Sequence, residues 1–390
     1  MTTSADTPVA GKPPRRELSH LVRQYFDLQP VLVPVAAVFL ALLVGSVVIL
    51  FVGENPIEAY WALLRGMFGS GDRIAGSLGR STPFIGAALA VAFAFRAGLF
   101  NIGVEGQLLV GATAAAWVGT WAVVGDMPGV VAIVLVLLAG IVGGGLYGAV
   151  PGVLKARTGA HEVIVTIMLN NIAILYVRWM VGSQDPVVLR DTTASVPRTE
   201  RLPSDARLPE FVTSNPPLHL GFLIMLGLCV LVWFVLQRTT TGFEIRTVGA
   251  SAHAARYAGI RVSRIIVVVM ALAGGFAGLA GAGEITGTSG FLSPGVFVNV
   301  GFDSIAIALL ARANPFAIVP AAILWGSLLA GAPLMQQETG LSIDIVRIIQ
   351  ALVLLFVAAD VIVRTIFRIR QPDGTGAMRE AHLGASWGST

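Results

Sequence analysis

A chain of 390 residues that is 55% hydrophobic and only 12% charged cannot hide its apolar side chains in one soluble core, and it reads as a multi-pass membrane protein. Its 26 lysines and arginines against 22 acidic residues leave a net charge of +4, whose distribution matters more than its size, and no nucleic-acid partner is expected. The single cysteine, Cys229, and the scattered His20, His161, His219, His253 and His382 exclude a disulfide framework and show no metal-ligand spacing. Only Lys12 and Lys155 occur among lysines, neither in a GxxxxGK[ST] loop, so any ATP that drives this chain must be bound by another subunit.

Residues 1–28 are polar and are expected to form a cytosolic tail, since no small-residue cleavage site follows the first apolar run. That run, 31–52, is long enough to span a bilayer. Residues 54–81 are amphipathic in part, through Ile57, Tyr60, Trp61, Leu64 and Met67, and are expected along the outer interface. The next apolar segment, 82–95, reaches only about 21 Å at 1.5 Å per residue, short of the roughly 30 Å hydrocarbon core.

The stretch that follows, RAGLFNIGVEGQLLVGA at 96–112, interrupts apolar sequence with Arg96, Asn101, Glu105 and Gln107 and carries Gly98, Gly103, Gly106 and Gly111. Polar side chains at membrane depth cost roughly 2.5–3.5 kcal/mol when charged and face a partner or a watery cavity. A short segment feeding a polar, glycine-rich break points to a transport pathway. Two readings stand for single residues: Glu105 as a charge at a helix N-terminus, or as a pathway group; Asn101 as that helix's N-cap, or as a pathway group.

Further spans are expected at 108–124, at 127–150, where Gly140, Gly144, Gly148 and Gly152 repeat along one face for close helix packing, and at 163–182, which holds Asn170 and Asn171. Lys155 and Arg157 mark a cytosolic turn between them, and 184–218 reads as a polar external loop long enough for a small cap. The chain returns through 219–237, runs through the arginine-rich 238–264, and spans again at 265–283 with Gly274, Gly278 and Gly281 on one face. After an outer loop at 284–301, residues 302–311 are again too short to span; Arg312, Asn314 and Pro315 break them before 316–335 and a last span at 344–364.

The expected fold is therefore all-α and polytopic, about ten transmembrane segments with broken or short helices over 29–365, and a cytosolic C-terminal tail at 366–390. Seventeen lysines and arginines fall in segments assigned to the cytosol and seven in external ones, which favours an N-in, C-in orientation. A weak repeat relates LAVAFAFRAGLFNI at 89–102 to IAIALLARANPFAI at 305–318, with Arg96 matching Arg312 and Phe100 matching Phe316.

Pathway candidates are the polar residues in or beside the spans: Asn101, Glu105, Gln107, Asn170 and Asn171, with Glu284, Asp303 and Asp344 behind them. Asn170 and Asn171 project about 100° apart, so at most one faces a central pore. Asp344 and Arg347, three residues apart, can neutralise one another. In 238–264, Ser251 can cap a short helix that Gly259 ends, rigid enough to dock into a groove on another protein; the plainer reading is a basic loop.

The string GLFNIGVEGQ resembles the signature of inner-membrane permease subunits of ABC importers, in the branched-chain amino acid, ribose and nucleoside superfamily, on its nucleoside side. VGASAHAARYAGI resembles that family's cytoplasmic coupling segment, although the family commonly has asparagine where Ser251 stands. GFDSIAIALLARANPFAIVPAAILWGSLLAGAPLMQ, followed by SIDIVRIIQALVLLFVAA, is a third matching section. The resemblance implies a plasma-membrane permease that carries nucleosides, forms half of a pore and performs no chemistry, with no cofactor or metal of its own. It implies as partners a second homologous permease, an ATPase subunit that binds the ATP and Mg, and an extracytoplasmic substrate-binding lipoprotein. It implies contact or capping roles for Ser251, Ala254, Ala255, Tyr257 and Gly259. The competing expectation is an ion-driven secondary transporter using Glu105 or Asp303, against which the lack of paired intramembrane carboxylates counts. An intramembrane enzyme finds no HExxH or GxSxG motif.

Overall fold

Lipid offers no partner to backbone polar groups, so an apolar chain in a membrane folds into helices that satisfy their own. The computed structural model describes residues 29–359; the expected tails at 1–28 and 366–390, and the end of the last span, lie outside the described residues. Among the described residues, seven helices are long and apolar enough to cross a membrane. The long helices are α1 (Gln29–Val52), α3 (Gly71–Phe95), α5 (Gly129–Thr158), α6 (Glu162–Gly182), α7 (Gly221–Arg238), α10 (Val262–Glu284) and α12 (Pro315–Thr339). Between them lie α2 (Pro56–Phe68), α4 (Val104–Gly119), α8 (Thr240–Ala250), α9 (Ala252–Tyr257), α11 (Val300–Leu310) and α13 (Asp344–Ala358). The chain is an all-α polytopic membrane protein, save for a two-stranded antiparallel hairpin, β1 (Glu210–Val212) and β2 (Leu218–His219), in one loop.

Two expectations are corrected. The segment at 82–95 is not short: it is the second half of the 25-residue α3, which Ser70 starts by accepting the Arg73 amide proton. The polar residues that hid its first half, Asp72, Arg73 and Arg80, lie in its early turns, where a helix reaches water or a polar cavity. Residues 54–81 accordingly do not lie along an interface as one piece. They divide into α2, capped by Asn55 and packed on α12 through Gly66 and Gly331, and the start of α3. Only α11, with 11 residues, keeps the shortness expected of it.

α3 is the centre of the bundle: 83% of its most apolar window is inside, against 28% for α1, α5 and α6, which present broad apolar faces outward. Around it, glycines set the distances between helices. A Cβ on Gly278 of α10 would lie 2.1 Å from the Gly140 carbonyl of α5, and one on Gly144 would lie 2.3 Å from the Gly274 carbonyl. A Cβ on Gly111 of α4 would likewise lie 2.3 Å from the Cα of the same Gly278. Three backbones thus touch at one level, and the small-residue faces read from the sequence are tight packing surfaces.

At one end, residues 183–220 fold over the bundle as a cap. Backbone bonds tie Leu208 to Thr286, within the single turn of π-helix (Ile285–Ser289) that extends α10, and Leu202 to Gly290 and Thr199 to Leu292 just past it. Within the cap, the Thr193 hydroxyl and amide, with the Arg198 guanidinium, hold the Asp191 carboxyl below the usual carboxylate range. His219, near the end of the cap, is fully buried, its Nδ1 accepting from the Gly221 amide at 3.1 Å and its Nε2 3.3 Å from the Thr288 hydroxyl. At the opposite end, Phe356 and Val357 of α13 pack beside Ala36 and Ala37 of α1, so the first described helix begins where the last one finishes.

The glycine contact predicts that Gly278→Val abolishes the folded state, because overpacking against backbone cannot relax as it can against a flexible side chain. Gly227→Val on α7, where a Cβ meets nothing within 4 Å, is the matched control. Monodisperse yield in detergent separates the two; equal yields would show that α10 is free to move off α5. A second prediction comes from His219, whose burial pushes its pKa down from 6.5 to about 4. A base held neutral by the fold contributes stability that is fully present above pH 6.5 and is lost as pH falls toward 4, on the order of 3 kcal/mol in all. Thermal unfolding across that window should steepen this loss for the parent and flatten it for His219→Asn.

Candidate functional site

The chain breaks twice between helices that would otherwise be continuous, and the two breaks meet. α3 ends at Arg96, whose guanidinium donates to the Ala313 carbonyl from Nε at 3.1 Å and Nη2 at 2.8 Å. Ala313 lies in the corresponding break after α11, and each break closes with an amide reaching back five residues, Leu99 to Ala94 and Ala313 to Ala308. Gly98, Arg312 and Ala313 take the left-handed conformations such endings need. The weak sequence repeat therefore marks two helix endings that abut.

α4 starts inside the protein, where its first amides have no water to bond. Asn101 Oδ1 accepts from the Gly103 amide at 3.1 Å, and Asn101 and Gln107 exchange two side-chain hydrogen bonds at 3.0 and 3.1 Å. Asn170 of α6 accepts from the Gly106 amide at 2.8 Å and donates to the Ile102 carbonyl at 2.9 Å. Asn101, Gln107 and Asn170 are buried and form one satisfied knot around this start. Asn171 points the other way, exposed, bonded to the Ile167 carbonyl of its own helix.

Glu105 is also buried, and it acts across the bundle. Its Oε2 accepts from the Gly301 amide at 2.6 Å, at the first turn of α11. Gly301 can only be glycine here, because a Cβ would lie 2.3 Å from the Glu105 nitrogen. The carboxyl of the central motif thus serves as the cap of a short helix 196 residues away, at the positive end of its dipole.

The same turn of α11 forms one wall of a cavity of about 460 Å³. α3 contributes Arg80, Pro83 and Phe84; Glu284 stands at the end of α10; the segment before α11 supplies Phe297 and Asn299. α11 adds Phe302 and Asp303, α12 adds Trp325, and α13 adds Arg347, Gln350 and Ala351. Glu284 and Asp303, placed behind the five favoured pathway candidates by the sequence, are on this wall. Of the residues favoured for the pathway, only Glu105 adjoins it, from behind. Arg80, Trp325 and Gln350 were missed; a glutamine inside the apolar run of α13 and an arginine on the buried α3 were the available signals.

The α8–α9 corner forms a second candidate surface. The Ser251 hydroxyl accepts from the Ala254 amide at 3.2 Å, and Gly259 ends α9 with φ +80°, as the residue types led one to expect. Tyr257 is 94% exposed and Ala254 is exposed beside it, whereas Ala255 is buried within the chain itself. Gly249 of α8 packs on the Arg96 carbonyl, which links this corner to the central break.

Helices that break at membrane depth around a polar cavity, with a rigid exposed corner beneath, define a membrane transport permease. Residues 73–358 match the family described as the permease component of branched-chain amino acid transport systems, and the chain belongs to that family. It is 42% identical over 341 residues to the guanosine ABC transporter permease protein NupP of Bacillus subtilis, covering 86% of this chain and 95% of that one. It is 35% identical over 339 residues to the nucleoside ABC transporter permease protein NupB of Lactococcus lactis, covering 85% and 92%. A glucose ABC transporter permease protein of Haloferax volcanii is 33% identical, covering 83% and 86%. No solved structure matches. The chain is a multi-pass transmembrane permease subunit of an ABC importer in the cell membrane, not an enzyme, and among the described residues no cluster of His, Cys, Asp or Glu could hold a metal ion.

The Glu105 cap predicts a graded response. Glu105→Ala leaves the buried Gly301 amide without an acceptor and should cost about 1–3 kcal/mol. Glu105→Gln keeps an acceptor oxygen and should retain most of that stability. Thermal unfolding of both variants checks it; identical losses would mean that the carboxyl acts through its charge alone.

Proposed function

We propose that this chain is the permease of an ATP-driven importer of nucleosides, carrying them through a path that it lines together with a second homologous permease. The observation that carries the reading is the similarity, over most of the chain, to two permeases named for guanosine and for nucleosides. An ATPase subunit supplies the energy, since neither lysine of this chain sits in a phosphate-cradling loop. An extracytoplasmic binding lipoprotein delivers the solute to the cap.

In this reading the three shorter helices α4, α11 and α13 complete ten passes, with both termini and the α8–α9 corner in the cytosol. The excess of lysine and arginine at that end supports the orientation. The transmembrane domain extends over 29–365, with 184–218 outside. Asn101, Glu105, Gln107 and Asn170 hold the inner margin of the pathway, and Asn171 sits where a neighbouring subunit reaches it. Ser251, Ala254, Tyr257 and Gly259 present α9 to a groove on the ATPase; Ala255 seats α9 on its own chain and is a poor site for a contact-breaking change. When ATP binding closes the ATPase, the force enters through α9, and Gly249 passes it to the Arg96 break.

Reconstitution with the second permease, the ATPase and the binding protein should give ATP-dependent uptake of labelled guanosine that a proton uncoupler leaves intact. Uptake by the chain alone that collapses with the uncoupler would establish a secondary transporter instead. Tyr257→Ala, a change on a side chain 94% exposed, should leave yield unchanged and abolish co-purification with the ATPase. Normal assembly and uptake by that variant would return 238–264 to a plain basic loop.

A further inference from the structure

The cavity between α3, α11, α12 and α13 holds a feature that packing does not explain. Trp325 is 3% exposed, and its indole Nε1 makes no hydrogen bond of normal geometry: the Asp303 carboxyl beside it is a long or misaligned partner. A buried donor so poorly paired is costly, and Trp325 lines the cavity wall. Beside it, the Gln350 side chain is buried and turned by its bond to the Trp325 carbonyl at 3.3 Å.

The charges on the wall are matched. Arg80 faces Glu284, and Arg347 lies between Asp303 and Asp344, with 3.5 Å to the latter. The wall thus carries two cations and two carboxylates, so a phosphate or a lone carboxylate entering it would meet no net positive charge to offset the water it loses. Phe84, Phe297 and Phe302 add flat apolar surface to the same wall.

We propose that this cavity is the solute site of the permease, that it takes an uncharged solute pairing a flat ring with hydrogen-bonding edges, and that Trp325 Nε1 and the Asp303 carboxyl are the donor and acceptor that select it. This rests on the nucleoside reading for the kind of ring, but the site itself does not. The donor and acceptor sit side by side, so they suit a ligand edge that carries an acceptor next to a donor, as nucleobases and vicinal hydroxyls do. A nucleoside fits this wall; its phosphorylated form does not.

The test uses the full chain in lipid vesicles, with Cys229→Ala to remove the one native thiol and Ala351→Cys to place a reporter on the cavity wall. The rate of modification by a small thiol reagent should fall when guanosine is added and should not change with guanosine monophosphate or leucine. Adding Trp325→Phe, which keeps the ring and removes the N–H, should weaken that protection about tenfold, the scale of one lost hydrogen bond. Asp303→Asn should weaken it independently. Protection by the monophosphate equal to that by guanosine, or by leucine, would overturn the charge-matching argument. Full protection in both variants would overturn the assignment of the donor and acceptor. Protection by glucose but not by guanosine, lost in both variants, would keep the site and reject the nucleoside reading. No protection by any of them would reject the site, while leaving guanosine uptake by the assembled importer as the separate test of that reading.

Discussion

A helix that starts inside a protein must find acceptors for its first amides, and α11 finds one in Glu105. That single bond joins two pieces of chain 196 residues apart and sets where the short helix begins. Because α11 begins there, its first turn, with Phe302 and Asp303, stands against α3 and α12 as the wall of a cavity. Had α11 been capped by a residue of its own preceding loop, nothing would tie that wall to the central motif. The glycine at 301 is the geometric half of the same device, since it lets the Glu105 backbone come close enough for its side chain to reach.

Close approach of backbones is the second organising feature. Lipid tails compete with side chains for apolar contact, so helices in a membrane gain little from bulky residues at their interfaces and more from surfaces that fit closely. Here α4, α5 and α10 meet through glycines at one level, which makes a stiff block on one side of α3. On the other side, α11, α12 and α13 leave the polar cavity. The central helix is packed on both sides, against α10 on one and α11 and α12 on the other, and the cavity borders it at Arg80, Pro83 and Phe84. A stiff block next to a cavity is a suitable arrangement for a protein whose two halves must move past one another without losing their own packing.

The polar residues divide along the same line. Asn101, Gln107 and Asn170 spend their hydrogen-bonding capacity on one another and on backbone, as a helix start buried in apolar surroundings requires. Arg80, Glu284, Asp303, Arg347 and Trp325 stand at the cavity instead. Polar character alone does not separate the two groups; what each faces does.

The helical membrane class and the glycine packing faces were legible in the sequence, because each depends on composition or on spacing along one helix, whereas the permease family was legible only through the resemblance of three strings to known permeases. The cap of α9 by Ser251 and its end at Gly259 were legible for the same reason, since both bonds close within a few residues. The full length of α3 was not, because a charged early turn reads as a boundary until the cavity beside it is seen. Nor could the sequence by itself pair Glu105 with Gly301, set Arg96 on the Ala313 carbonyl, or bring Arg80, Trp325 and Gln350 to one wall. Those neighbours come from different helices, and only their packing, decided by where glycine lets backbones touch, brings them together.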